Sequence, residues 1–295
     1  MAINLSKRIF WPLLLLALLA LALLAHQRNV SNIEVEKDVS YGTVQGESLL
    51  LDVMRLPSPS LRPGIVFVHG GGWRGGDKRD FLALAQGFAQ HGYVCFSVNY
   101  RLVNAKGHHF PDQLDDVQRA IRWIRANASR YGVDPNRIGA IGASAGGHLV
   151  ALLGTVETRN DQPQELSAYS SRVQCVVDMF GPADLTRFPS TPADVPKLVH
   201  EFMGGAPEQK PQLYQSASPI FNIDHATVPF LIFHGALDPL VPVDQSRRFA
   251  AALQKNGTPV TYVEFSDEGH GIEKKANREK FATMTVQFFD SYLKR

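Results

Sequence analysis

The sequence predicts an α/β fold built on a mainly parallel sheet, and three observations support this. Short apolar runs of strand length alternate with amphipathic helical stretches through most of the 295 residues. Several runs are apolar throughout, as expected of strands buried on both faces of a sheet. A G-x-S-x-G pattern at 142–146 lies between a strand-like run and a helix-like run. In that setting the pattern is typical of a sharp turn that exposes a serine.

Composition is that of an ordinary globular protein, with 44% hydrophobic residues, 20% charged residues and a net charge of +2. No basic stripe interleaved with aromatic residues is present, so we expect no nucleic-acid binding. The two cysteines, Cys95 and Cys175, lie in apolar strand-like runs and are expected to be buried thiols. A disulfide between them is the less favoured alternative. None of the ten histidines has a metal-ligand spacing such as H-E-x-x-H, so no metal site is expected.

Residues 1–32 are expected to form a separate segment of signal and linker. Lys7 and Arg8 precede an apolar, helix-like run at 9–25, which a short polar linker follows. Positive residues before the run and acidic residues after it predict that the N-terminus stays in the cytoplasm. We favour an uncleaved signal anchor, which would attach the protein to the membrane with the rest of the chain outside the cytoplasm. A cleaved signal peptide, giving a secreted or periplasmic protein, is the alternative.

Residues 33–295 are predicted to form one domain of alternating strands and helices. It begins with two strands joined by a hairpin turn at Gly46-Glu47, followed by a buried strand. The first half contains strands at 33–41, 49–53, 64–68 and 93–98, and helices at 81–90 and from Pro111 onward.

The second half resumes after the serine turn and is interrupted once. Residues 181–220 are rich in proline and are predicted to form a cap or lid above the sheet. The last helix is expected to bury a face made of Phe281, Met284, Phe288 and Tyr292. The remaining elements are strands at 137–141, 173–179, 230–233 and 260–265, and helices at 148–156 and 244–254.

Ser144, the central residue of the G-x-S-x-G pattern, is the candidate nucleophile. The bare pattern would occur by chance in ~10% of chains this long, so it needs support. A serine hydroxyl requires a general base, an acid that orients the base, and donors for an oxyanion. The H-G-G-G-W sequence at 69–73 follows a buried strand and is typical of a loop that completes an oxyanion hole with the N–H of Ala145. A flexible turn is the alternative.

The acid and the base are sought at the ends of later strands. Asp238 follows the strand at 230–233, although a lone Asp before Pro is more often a turn former. The nearby Asp244 is expected to cap the next helix. His270, between two glycines, follows the strand at 260–265, which gives the chain order Ser, Asp, His. The other histidines are expected to be structural (His148 and His234) or to lie in loops or at the surface (His26, His91, His108, His109, His200 and His225).

Together these motifs resemble the α/β-hydrolases of the hormone-sensitive-lipase-like and bacterial feruloyl- and acetylxylan-esterase-like (BD-FAE-like) group. The resemblance runs from about residue 33 to 292. It is carried by H-G-G-G-W at 69–73, V-N-Y-R-L at 98–102, D-P-N-R-I at 134–138, G-A-S-A-G-G-H at 142–148, H-G-A-L-D-P-L-V at 234–241 and G-H-G at 269–271. It implies a three-layer α/β-hydrolase fold with a small cap.

The resemblance also implies a serine esterase that needs no cofactor and acts on short-chain, acetyl or feruloyl esters through an acyl-enzyme. Ser144 would attack the ester, His270 would carry the proton and Asp238 would orient His270. The N–H groups of Gly71, Gly72 and Ala145 would hold the oxyanion.

Two other functions remain open at this point. The same residues could serve an amidase or peptidase of the arylformamidase or prolyl-oligopeptidase-like kind. A non-catalytic binding protein on the same fold is less favoured, because such proteins usually lose the serine, the histidine or the glycine loop. The expected partners are a small ester substrate and, through the N-terminal segment, a membrane; the sequence carries no expectation about oligomeric state.

Overall fold

The computed structural model describes residues 32–104, 107–157, 164–188 and 194–294. The predicted signal and linker at 1–32 lie outside this part except for the last residue. Among the described residues, no helix is long and apolar enough to cross a membrane. The N-terminal anchor therefore stays a prediction.

The core of the fold is one eight-stranded sheet in the order β1-β2-β4-β3-β5-β6-β7-β8. Only β2 runs antiparallel to its neighbours, and all the other neighbouring pairs are parallel. This confirms the predicted α/β class, and it brings the carboxyl ends of β3 to β8 to one edge. The strands are β1 (Glu34–Val44), β2 (Glu47–Arg55), β3 (Arg62–Val68), β4 (Val94–Val98), β5 (Val133–Ala143), β6 (Cys175–Met179), β7 (Phe230–Gly235) and β8 (Val260–Phe265).

Helices cover both faces of the sheet. One face packs against α2, α4 and α7, and the opposite face packs against α1 and α8. The helices are α1 (Leu82–Gln90), α2 (Asp112–Ala126), α3 (Ala128–Tyr131), α4 (Ala145–Thr155), α5 (Asp194–Met203), α6 (Pro211–Ser216), α7 (Asp244–Lys255) and α8 (Lys275–Leu293).

Strand β3 shows why the central runs are apolar at every position. Its side chains alternate between the two sides, since Val66 and Val68 belong to one core while Ile65 and Phe67 belong to the other. All four are fully buried. A polar residue at any of these positions would lack water on either face.

The cysteines are free and buried, as predicted. Cys95 lies on β4 and Cys175 on β6, and two strands separate them in the sheet. Burial raises the pKa of both thiols, so neither is a ready thiolate.

The first hairpin turn lies one residue earlier than predicted. Gln45 and Gly46 both have positive φ, at 52° and 82°. Two central residues in the left-handed region are typical of a type I′ turn, which matches the twist of the flanking strands.

The predicted buried face of the last helix is partly wrong. Phe281 is buried, but Met284, Phe288 and Tyr292 are only partly buried against the core. A Cβ added at Gly139 of β5 would lie 2.7 Å from the ring of Phe289, so the helix turns this phenylalanine into the space that the glycine leaves. The observed buried residues of α8 are Phe281, Ala282, Thr285, Phe289 and Leu293.

One other local expectation fails, and a second, for His108, holds for its place in a loop although the side chain is buried. Asp244 is the first residue of α7, but no side chain caps this helix. Its carboxylate instead accepts from Arg248 Nε at 2.7 Å. His108, expected to be in a loop or at the surface, is in a loop but only 6% exposed, because it packs between the carboxylates of Glu47 and Asp112.

Candidate active site

Ser144 lies in the turn between β5 and α4 with φ 55° and ψ −119°, a conformation that L-residues rarely adopt. The glycines of the motif make the turn possible. A Cβ at Gly142 would lie 2.3 Å from the carbonyl oxygen of Gly146, and one at Gly146 would lie 2.0 Å from that of Val68. A larger residue at 142 would therefore distort the turn itself, and one at 146 would push the turn away from the end of β3.

The structure brings the three predicted residues of the triad into one hydrogen-bonded chain. His270 Nε2 is 2.9 Å from Ser144 Oγ, and His270 Nδ1 is 2.7 Å from Asp238 Oδ2. Asp238 follows β7 and His270 follows β8, so strand order places them beside the serine. The His270 ring also packs against Phe180, with 4.8 Å between ring centroids.

The Asp238 side chain is fully buried and accepts several hydrogen bonds. Its Oδ1 accepts the N–H groups of Leu240 and Val241 at 2.8 and 2.9 Å. Burial opposes ionisation, but hydrogen bonds from His234 and His270 outweigh it and hold the pKa of Asp238 well below its usual value. Asp238 is therefore a carboxylate at neutral pH.

The loop at 69–73 packs directly against the serine turn. A Cβ at Gly70 would lie 2.8 Å from the carbonyl oxygen of Ala143 and 3.4 Å from Ser144 Cβ. The next two residues, Gly71 and Gly72, have φ of +102° and +60°. These left-handed conformations explain why glycines follow one another here.

Tyr100 anchors the start of this loop. Its hydroxyl donates to the carbonyl oxygen of His69 at 3.0 Å, and its ring stacks on the His69 imidazole at 4.3 Å. These two contacts hold the start of the loop in place, with its glycine backbone beside Ser144.

Ala145, the third predicted oxyanion donor, is the first residue of α4, which has 11 residues. The N–H groups in the first turn of a helix have no partner within the helix and carry partial positive charge. A negative oxygen beside Ser144 would therefore meet a favourable field.

Helix α5, from the predicted cap, lies against the loop at 69–73. Trp73 stacks on Phe202 of α5, with 4.1 Å between ring centroids. A Cβ at Gly72 would lie 2.6 Å from Leu198 Cδ2, so this leucine covers the second of the two glycines. Residues 189–193 of the predicted cap lie outside the described part of the chain.

His148 is structural, as expected. It is fully buried on α4, its Nδ1 accepts from Trp73 Nε1 at 3.3 Å, and its Nε2 is 2.6 Å from the carbonyl oxygen of Ala217. Burial lowers the pKa of His148 to about 4. A neutral imidazole thus links the loop at 69–73 to the segment after α6.

His234 is the residue whose contact with the site the sequence analysis missed. It is fully buried at the end of β7, and its Nε2 is 3.2 Å from Asp238 Oδ2, the same oxygen that His270 contacts. The available signal was the spacing H-G-x-x-D at 234–238, which puts His234 at the end of β7 and Asp238 in the turn that follows directly.

The arrangement can move a proton between a serine hydroxyl and an imidazole that a buried carboxylate orients. Within the described ranges, no group of three or more His, Cys, Asp or Glu side chains is placed to hold a metal ion. A serine hydroxyl beside an imidazole that a carboxylate orients can support nucleophilic attack.

Known proteins resemble the chain in both sequence and structure. The BD-FAE family model matches residues 51–253. The probable carboxylic ester hydrolase LipM of Mycobacterium tuberculosis is 36% identical over 246 residues, which are 80% of this chain and 56% of LipM. The chain thus spans a little over half the length of that relative.

Two solved structures share the fold over most of the chain. The propionate-bound esterase Est2 of Thermogutta terrifontis is 29% identical with a TM-score of 0.73, covering 90% of this chain and 96% of Est2. The acetyl ester-xyloside bifunctional hydrolase of Caldicellulosiruptor lactoaceticus is 25% identical with a TM-score of 0.75, covering 86% and 95% of the two chains. With these likenesses and the family match, the chain belongs to the BD-FAE family of α/β-hydrolases.

Proposed function

We propose that this protein is a carboxylic ester hydrolase that works through an acyl-enzyme on Ser144. The observation that carries the proposal is the hydrogen-bonded chain from Ser144 through His270 to Asp238, beside the loop at 69–73. The esterases among its relatives support the same activity.

In the first step, Ser144 Oγ attacks the ester carbonyl carbon while His270 Nε2 takes the hydroxyl proton. The resulting tetrahedral oxyanion would accept hydrogen bonds from the N–H groups of Gly71, Gly72 and Ala145. Such donors often make the largest single contribution to transition-state stabilisation, and the loss of one raises the activation barrier by ~3–4 kcal/mol. Asp238 stabilises the imidazolium that forms on His270.

In the second step, the bond to the alcohol oxygen breaks and His270 gives its proton to the leaving alcohol. The acyl group stays on Ser144. Water then attacks the acyl-enzyme as His270 takes a proton from it, and collapse returns that proton to Ser144 Oγ. The products are one carboxylic acid and one alcohol, and the enzyme is regenerated.

We propose short acyl groups as substrates. Leu198 and Trp73 occupy space immediately over and beside the glycine loop, which limits the room for a long acyl chain. The two structural relatives support this, since one was solved with propionate and the other is named for an acetyl ester.

We also propose that residues 1–32 tether the enzyme to a membrane, with the domain outside the cytoplasm. The support is the basic start and apolar run of that segment. The full chain is expected in the membrane fraction and a version lacking residues 1–31 in the soluble fraction. If expression of the full chain instead yields a soluble form that starts near His26, cleavage is established.

The activity is tested with a panel of p-nitrophenyl esters alongside aminoacyl anilides. Turnover of acetyl and butyryl esters, lost in Ser144→Ala, is the expected result. Turnover of anilides without ester turnover would favour an amidase or peptidase instead. Failure of a fluorophosphonate probe to label Ser144 in folded protein would favour a non-catalytic role.

A further inference from the structure

The carboxylate of Asp238 contacts two histidines, and the mechanism above uses only one of them. Its Oδ2 is 2.7 Å from His270 Nδ1 and 3.2 Å from His234 Nε2. The His234 side chain is fully buried, so no substrate reaches it. A buried imidazole facing a carboxylate needs another explanation than proton transfer to substrate.

The surroundings of His234 determine its tautomer. Nε2 faces two oxygens that only accept, Asp238 Oδ2 and the carbonyl oxygen of Val241 at 2.9 Å. We therefore assign a proton to Nε2, which donates to both. On the other side, Ser246 Oγ is 2.7 Å from Nδ1. When the imidazole is neutral, the Ser246 hydroxyl donates to Nδ1 and fixes the ring.

Other titratable groups surround the pair. Glu264 of β8 lies opposite His234 in the sheet, and His234 acts through charge to lower the pKa of Asp178 on β6, against the larger effect of burial. His270 faces the same carboxylate. The ring of Phe180 contacts both imidazoles.

We propose that His234 and Ser246 form a positioning pair that holds the Asp238 carboxylate in place for His270 and takes up part of its charge. This inference rests on the proposed function, because it gives His234 a role in the same reaction. The pair acts through Asp238 and does not touch the substrate. The hydrogen bond from His234 holds Oδ2, the oxygen that Asp238 presents to His270. The hydrogen bonds from the N–H groups of Leu240 and Val241 hold Oδ1.

The proposal predicts a specific pH effect. Without the His234 donor, more of the carboxylate charge faces His270, which favours the imidazolium form of the base before the reaction. The acid limb of the pH profile of kcat/KM should then move to higher pH. A purely structural role would lower stability or activity without moving this limb.

The test compares His234→Phe with His234→Gln in the full chain. Phenylalanine fills the space without a donor, whereas the glutamine amide nitrogen can reach the position of Nε2. In His234→Phe, kcat for p-nitrophenyl acetate should fall about tenfold with KM nearly unchanged, which corresponds to one lost hydrogen bond to a charged group. The acid limb should move up. His234→Gln should restore kcat to within about threefold of wild type and return the limb.

His108→Gln is the matched control. His108 is also buried beside a carboxylate, with Nδ1 3.3 Å from Asp112 Oδ2, but Asp112 has no part in the mechanism. The acid limb of the kcat/KM profile of His108→Gln should lie at the same pH as in the wild type. Ester turnover by the wild type and its loss in Ser144→Ala establish the proposed function separately, so a negative result at His234 leaves that function intact.

Three results would overturn the proposal: a wild-type kcat and pH profile in folded His234→Phe, an equal loss in His234→Gln and His234→Phe, or a limb that also moves in His108→Gln. If His234→Phe fails to fold, Ser246→Ala decides instead, since it removes one hydroxyl. A severalfold fall in its kcat together with an acid limb moved to higher pH supports the pair. An unchanged kcat, or a fall in kcat without movement of the limb, overturns it.

Discussion

Two Ser–His pairs meet at the Asp238 carboxylate, and they differ in backbone conformation, in exposure and in the ring nitrogen that faces the serine. Ser144 and His270 are 2.9 Å apart, and Ser246 and His234 are 2.7 Å apart. Ser144 has a left-handed backbone in a turn at the sheet edge, whereas Ser246 lies within helix α7. The His270 side chain is 14% exposed, and that of His234 is fully buried.

The comparison teaches that a serine beside an imidazole is not sufficient for a nucleophile. Ser144 also has a glycine loop beside it and the start of a helix after it, so an oxyanion could be stabilised there. Ser246 is 1% exposed and has no room for a substrate. On the proposed mechanism, the same chemical pair therefore acts at one site and holds the carboxylate at the other.

The largest expected effect comes from removing the hydroxyl of the accessible pair. Ser144→Ala should lower kcat/KM for p-nitrophenyl acetate by about 10⁴-fold or more, because no nucleophile remains. Ser246→Ala should lose far less, which would establish the asymmetry. Steady-state kinetics on both purified variants, with circular dichroism as the folding check, would decide. Similar losses in the two would break the comparison.

The next largest effect concerns the shared carboxylate. Asp238→Asn should lower kcat by about 10³–10⁴-fold, since the amide can present a donor to His270 and select the wrong tautomer. Stopped-flow or steady-state assays across pH 5–9 would measure it. Retention of more than a tenth of wild-type kcat would show that Asp238 does not orient the base.

Asp178 on β6 carries a second buried carboxyl group and is only 1% exposed. Burial raises the pKa of Asp178 to about 6, against the opposing effects of the Gly181 N–H and His234. The folded protein thus holds this proton more tightly than the unfolded chain. The ionisation of Asp178 therefore lowers the free energy of unfolding as pH rises from near 3.8 through about 6, by about 3 kcal/mol in total.

Asp178→Asn should remove this pH dependence. Urea unfolding of both proteins at pH 4, 5, 6 and 7 would show the free energy of unfolding of the wild type falling relative to the variant, and the difference should level off above pH 7. Parallel curves would mean that Asp178 ionises in the folded protein as easily as in the unfolded chain.

The smallest effect is expected from Leu198, which covers the glycine loop beside Ser144. Leu198→Ala should raise the kcat/KM ratio of hexanoyl to acetyl ester about tenfold, since space opens over the glycine loop. Leu61→Ala is the control, because Leu61 is 53% exposed and precedes β3, at the end opposite the active site. An unchanged ratio in Leu198→Ala would place the acyl group elsewhere.

Residues that follow directly from a strand could be predicted from the sequence. Strands with apolar runs fixed the positions of Ser144, Asp238 and His270 at one edge, and the motif glycines marked the tight turns. These signals are local, because a glycine at 142 or 146 is required by contacts within the turn or with the adjacent strand.

What depended on contacts between distant segments could not be predicted. The approach of His234 to Asp238 is an exception, because the two residues are only four apart in sequence. It was missed because the conformation of the loop after β7 brings the side chains together, and residue types alone do not determine that conformation. The buried face of α8 was missed because apolar residues occur on more than one side of that helix, and Gly139 on another element decides which side packs. The burial of the loop residue His108 was not predicted for the same reason, since its partner Glu47 comes from the first hairpin.

The strained backbone of Ser144 has a consequence for how the protein opens. Its N–H donates to the carbonyl oxygen of Met179 on β6 at 2.8 Å, and Gly146 abuts the end of β3. Relaxing φ at this one residue would therefore disturb the contacts of the turn with the ends of both β6 and β3. In amide hydrogen exchange, the Ser144 N–H should behave like the centre of the sheet, although it belongs to a turn beside the substrate.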